Sequence, residues 1–264
     1  MKGPLAIALI AAGAMLAGTS AQAAFITYFG EDLNNSATVP LSETPNSDAA
    51  ESAFLGSLSG VGTEDFEGFA TGTTAPLNLT FPGFGGGTLD ATLTGDGRIK
   101  TVSEGSAFFG RYSVSGTNTW RADATGDDGF GVDFGQDIAA FGFYGIDIGD
   151  FGGQLLINFN LSSGGVHQET VPHTVGSGGS TDGSVFYFGA IASSEDFLFT
   201  SLDFDLVEGP QTDIFSFDNM TIGELEQVTP REPVPAPGTL VLLASGLLVA
   251  GSMLWRRKQS DSGN

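Results

Sequence analysis

The chain has 264 residues, a formal charge of −22 at neutral pH, 40 glycines, 22 phenylalanines and no cysteine. The lack of cysteine excludes disulfides, thiolate metal sites and cysteine nucleophiles, and so negative a surface repels phosphate backbones, so nucleic acid is not an expected partner. The same surplus of carboxylates favours hard divalent cations, calcium above all.

The chain opens as a secretory leader. Lys2 supplies a positive start, residues 5–16 are apolar, and Ala21-Gln22-Ala23 gives the small-x-small pattern at which signal peptidase cuts. Export by the Sec machinery with cleavage after Ala23 is therefore expected. Residues 24–237 keep five basic residues against thirty acidic ones, a formal charge of about −25. The segment 24–62 is polar, with one short helix expected where Asp48 and Glu51 have capping-box spacing and Phe54, Leu55 and Leu58 offer an apolar face.

From residue 63 to 223 the texture changes to short alternating runs between Gly, Asn, Asp and Ser clusters. Strands are expected at 65–69, 77–81, 88–94, 98–102, 110–114, 119–122, 130–134, 138–148, 154–161, 168–175, 184–191, 197–206 and 213–222. Many short strands without helices between them predict an all-β fold, an antiparallel two-sheet sandwich of jelly-roll type. Alternation in 197–206 leaves apolar residues on both faces, as in an inner strand, and that in 213–222 sends Phe215 and Phe217 into the core. Abundant Phe fills the gap between sheets.

Several constellations could carry chemistry. Glu67 and Asp218 lie in the first and last strands of the sandwich, which often neighbour each other, so the pair is a candidate calcium site. Trp120 and Tyr112, with Phe108 and Phe109, form a candidate platform for stacking a sugar. Asp123, Asp127, Asp128 and Asp133 lack the EF-hand glycine and terminal glutamate and read as a solvated hairpin loop, as do Asp147 and Asp150. His167 and His173 have no third ligand at zinc-site spacing, and no nucleophile elbow, P-loop or dinucleotide fingerprint is present. The expectation is a non-enzymatic module that binds calcium and glycan; the alternative is a secreted polysaccharide hydrolase using paired carboxylates.

Residues 224–237, rich in Glu and Pro, read as a stiff stalk. The apolar run 239–255 amounts to roughly 25 Å of helix, enough to span a bilayer with local thinning. Arg256, Arg257 and Lys258 follow it and should remain cytoplasmic, leaving the acidic portion outside the cytoplasmic membrane. Pro235-Ala236-Pro237, this helix and the basic end together resemble the PEP-CTERM sorting signal of exported Gram-negative proteins, also catalogued as an ice-binding protein C-terminal domain. Ala236 stands where that family usually has Glu. The resemblance covers about the last 30 residues and implies cutting by an exosortase, a membrane-embedded protease, with delivery to the cell surface or an exopolysaccharide matrix.

Overall fold

The computed structural model describes residues 23–123, 129–207 and 213–229. The leader, the Pro235-Ala236-Pro237 motif, the apolar tail and its basic end lie outside these residues. Among the described residues no helix is long and apolar enough to cross a membrane.

The described strands are, in chain order, β1 (Phe25–Asp32), β2 (Thr63–Glu64), β3 (Leu77–Pro82), β4 (Thr88–Gly95), β5 (Gly97–Thr101), β6 (Asn118–Asp123) and β7 (Phe130–Ile138). There follow β8 (Ala140–Ile146), β9 (Gln154–Leu161), β10 (Val166–Thr170), β11 (Val185–Ala192), β12 (Phe199–Val207) and β13 (Ile214–Gly223); among the described residues the one α-helix, α1 (Pro45–Leu55), lies after β1. They pair antiparallel into two sheets: β1-β11-β8-β13-β6-β5, with β2 also on β13, and β10-β9-β12-β7-β4-β3. The fold is an all-β sandwich, as the alternation predicts.

Phe141, Phe143, Phe186, Phe188, Phe215 and Phe217 from the first sheet meet Phe130, Phe159, Phe199 and Phe204 from the second in one continuous core. Phe143 and Phe217 stack with centroids 4.9 Å apart, and Phe204 meets Phe143 edge-on at 5.6 Å, the geometry ring quadrupoles prefer. The first sheet is buried on its other face too, where Tyr144, Ile146, Val185, Tyr187 and Ile191 pack with Ala50 and Phe54 of α1. A matched pair of glycines makes room for the helix. Gly142 of β8 lies opposite Gly189 of β11, and a Cβ on either would come within 2.8 Å of the Phe54 ring.

Four local expectations are corrected. The helix begins at Pro45, not at an Asp48–Glu51 capping box, because Asp32 of β1 supplies the cap: its Oδ1 and Oδ2 accept the Asn46 and Ser47 N–H groups at 3.2 and 2.9 Å. Asp48 and Glu51 instead accept the Tyr144 hydroxyl at 3.1 and 3.0 Å. Neither 65–69 nor 110–114 is a strand; Phe66 and Gly110, within them, have φ of 60° and 80°, outside the range of a regular strand. The strand expected at 168–175 is Val166–Thr170, ending before Pro172. The two-faced pattern of β12 dissolves at a bulge between Phe199 and Ser201, which puts Phe199, Leu202, Phe204 and Leu206 in the core and leaves Thr200, Asp203 and Asp205 outside.

Phe54, fully buried against the glycine pair, carries the docking of α1. Phe54→Ala is expected to lower the unfolding free energy by about 3–5 kcal/mol, read as a shifted midpoint in urea. Gly68→Ala, whose new Cβ meets nothing within 4 Å, should leave the midpoint unchanged.

Candidate metal centre

Strands β11, β8 and β13 are neighbours in the first sheet, and their antiparallel order brings the end of β8 and the starts of the other two to one rim. Asp147 follows β8, Asp182 lies just before β11 and Asp213 just before β13. Asp150 joins them because the turn after β8 folds against residues 176–184: Gly176 N–H donates to Gly149 O at 2.8 Å and Gly179 N–H to Asp150 O at 3.2 Å. Asp147, Asp150 and Asp182 each present an oxygen within 4.8 Å of the others.

The corner is buried and short of donors. Asp147 is 2 % exposed, Asp150 4 % and Asp213 1 %, while Asp182 is half-buried. Asp147 accepts the Gly183 N–H at 2.9 Å and pairs with Arg111 at 3.4 Å; the same guanidinium nitrogen donates to Ile214 O at 2.9 Å. Asp213 accepts the Gly149 N–H at 2.7 Å. Asp150 Oδ1 is buried and, among the described residues, has no partner; nor do Arg111 Nε and Thr181 Oγ1. An orphaned buried acceptor costs about 1–3 kcal/mol, more when charged.

Burial pushes the Asp147 carboxyl up to about 7, against the Gly183 N–H and Arg111, which favour its charged form. Asp150 is pushed up to about 8, by burial first and then by the charges of Asp213 and Asp147. Asp213 is raised by burial as well. Carboxylates that ionise reluctantly at one point are what a hard cation relieves, since its charge and its demand for oxygen ligands replace lost hydration. The backbone packs tightly at this corner: Asp147 has φ of 66°, and Gly110, φ 80°, lies so close that a Cβ there would sit 1.8 Å from Asp147 Oδ1. A depression of about 300 Å³ opens beside the carboxylates, lined by Ala37, Phe109, Arg111, Phe151 and Ile214.

The residues singled out in the sequence fall elsewhere. The sandwich begins earlier than residue 63, with β1 on β11, but the strand near Glu67, β2, does pair with the last strand, Glu64 opposite Met220 and Thr63 opposite Thr221. Glu67 and Asp218 both hold the loop 113–118 through its backbone N–H groups. Glu67 Oε1 accepts the Thr117 N–H at 2.7 Å, and Asp218 Oδ2 accepts the Val114 N–H at 2.8 Å. Trp120 is fully buried in the core and offers no face to a sugar. Tyr112 is buried too, its hydroxyl accepting the Leu41 N–H at 3.1 Å and donating to Gly183 O at 2.9 Å. Of the expected platform only Phe108 and Phe109 are exposed.

His173 is buried and neutral. Its Nε2 accepts the Leu155 N–H at 3.0 Å, its ring stacks on Phe186, and burial lowers its pKa to about 4. His167 pairs with Glu169 at 2.7 Å. Asp127 and Asp128 lie outside the described residues, and Asp133 is exposed on β7. The sequence reading missed the centre because Asp147 and Asp150 resemble any turn, and Asp182 and Asp213 are distant in the chain. The one local trace is Asp147-Ile148-Gly149-Asp150, two acids around a left-handed glycine.

Neither protein-family models nor curated proteins give a match to the chain. Among solved structures, the K2 cleaved adhesin domain of Lys-gingipain is similar at a TM-score of 0.35 and 13 % identity, over 62 % of this chain and 98 % of that one. So loose a likeness transfers neither fold detail nor function.

The buried acids set the pH response of the metal-free protein. Their folded pKa values exceed the ordinary 3.8, so the native state holds more protons and stability falls as pH rises toward about 8. His173, lowered from 6.5 to about 4, acts oppositely but is fully neutral in both states well above 6.5. In chelator, the melting temperature should therefore fall between about pH 6.5 and 8, and Asp150→Asn should flatten that slope.

Proposed function

We propose that this chain is an exported protein, sorted by its PEP-CTERM-like tail to the cell surface or an exopolysaccharide matrix, where a jelly-roll-type sandwich acts as a non-enzymatic, calcium-holding module. The observation that carries the cation is Asp150: a buried carboxylate with an unpartnered oxygen, grouped with Asp147 and Asp182. Calcium takes six to eight oxygen ligands, so three monodentate carboxylates would leave positions for water or a bound molecule. One calcium ion there would also tie the start of β11 to the end of β8, a clamp in the middle of the first sheet of a domain without cysteine.

Export and tethering rest on the two ends of the sequence. The leader-like start at 1–23, the apolar run at 239–255 and the cations Arg256, Arg257 and Lys258 support an acidic domain held outside the cytoplasmic membrane on its 224–237 segment. Exosortase cutting near Pro235-Ala236-Pro237 would release it. The hydrolase reading is less favoured by the corner: the three oxygens lie within 4.8 Å of one another. That is closer than the roughly 5–9.5 Å across which two carboxyls act on a glycosidic bond.

Calcium at about one hundred times its dissociation constant should stabilise the protein by about 2.7 kcal/mol and raise the melting temperature by roughly 5–10 °C. Asp150→Asn should remove most of that rise, and an unchanged wild-type melt in calcium and in chelator defeats the cation reading. For sorting, cell fractionation should find the wild-type domain at the surface or in the medium, and a chain with Arg256, Arg257 and Lys258 replaced by Ser should lose correct anchoring. Equal amounts of both forms in the cytosol, with leaders intact, would count against export.

A further inference from the structure

The depression beside the three aspartates has features that holding an ion does not require. Phe109 and Phe151 line it while remaining 67 % and 50 % exposed, in a protein whose other phenylalanines are mostly buried. Phe109 has φ of 52°, a left-handed conformation that costs a bulky side chain free energy. Its ring is braced edge-on by Phe108 at 4.8 Å, interplanar angle 85°. An aromatic side chain held outward on a strained backbone beside an under-coordinated buried carboxylate is explained by a ligand that needs both.

We propose that this depression binds a neutral pyranose, two adjacent hydroxyls completing the coordination of the cation held by Asp147, Asp150 and Asp182 while the C–H face of the ring lies on Phe109 and Phe151. The proposal rests on the cation reading given above. Chemistry selects the ligand class. The occupant must offer hard neutral oxygens to a calcium-like ion and apolar area to the aromatic rings, and a sugar ring carries both. A volume of about 300 Å³ is at the lower end of small-molecule sites and suits one ring rather than a long segment. Charge excludes an acidic sugar: Asp147, Asp150, Asp182 and Asp213 outweigh a divalent ion plus Arg111, in a domain already strongly negative. Arg111 Nε and Thr181 Oγ1, both buried without a partner among the described residues, provide polar groups at the same corner.

The test is saturation-transfer NMR on the detergent-solubilised full chain with methyl α-mannopyranoside and methyl α-glucopyranoside as probes, in calcium and in chelator, each sample also melted. In calcium, transfer to the ring C–H protons of at least one probe is expected, and chelator should abolish it. Phe109→Asn together with Phe151→Ser should weaken binding roughly tenfold while keeping the calcium-induced rise in melting temperature. Asn tolerates the left-handed backbone at 109, and Phe151→Ser alone, at an exposed position, serves if the double variant does not fold. No transfer to either probe while calcium still raises the melt overturns the sugar site and leaves the cation site standing. Transfer that persists in chelator, or is undiminished in the variants, also overturns it. A melt insensitive to calcium defeats the cation reading, and the sugar site with it.

Discussion

A buried carboxylate must find donors, and this chain has few cations to give. Its solution in most places is the peptide N–H. Asp32 takes the first donors of α1, Asp218 takes Val114 and its own neighbour Asn219, and Asp213 takes Gly149. Each of these acids thereby fixes a segment that has little apolar surface of its own. The corner at Asp147, Asp150 and Asp182 departs from the pattern, because the donors run out: one guanidinium serves Asp147 and a carbonyl, and Asp150 Oδ1 is left over. The cation proposed for this corner would satisfy it.

The first sheet explains why that corner is so deeply placed. With the phenylalanine core on one side and α1 on the other, β8 and β11 have no solvent-facing side, and every residue of both is buried. The chain leaving such a strand must turn sharply before it reaches water, and here it does so through Asp147 and Gly149, both at positive φ. The helix that closes the outer face depends on Gly142 and Gly189 in the same two strands. Burial of the sheet, seating of the helix and depth of the carboxylates are thus one arrangement.

Much of the sandwich was legible in the sequence because strand alternation is a local property. Phe215 and Phe217 were placed in the core by parity alone, and they are there. Parity failed where a bulge intervenes. In β12 the shift between Phe199 and Ser201 moves the later residues to the opposite face, and in β13 the shift between Asp218 and Thr221, around Asn219 at φ 48°, brings Met220 and Ile222 into line with Phe217. Trp120, a candidate for stacking a sugar, lies in the core instead: its strand alternates, but alternation does not say which face is the core, and Gly97 leaves the space that its indole fills.

Sequence by itself determined what is written in neighbouring residues: a strongly acidic, cysteine-free chain, apolar runs at both ends with cations beside them, and a middle of short alternating strands. Tertiary structure alone decided which acids meet. Asp147, Asp150, Asp182 and Asp213 come together because β11, β8 and β13 are neighbours, and strand order is set by packing between distant segments, a non-local choice that no window of residues encodes. It likewise decided that Glu67 and Asp218 spend their oxygens on backbone N–H groups, since those donors come from the loop 113–118, far from both in the chain.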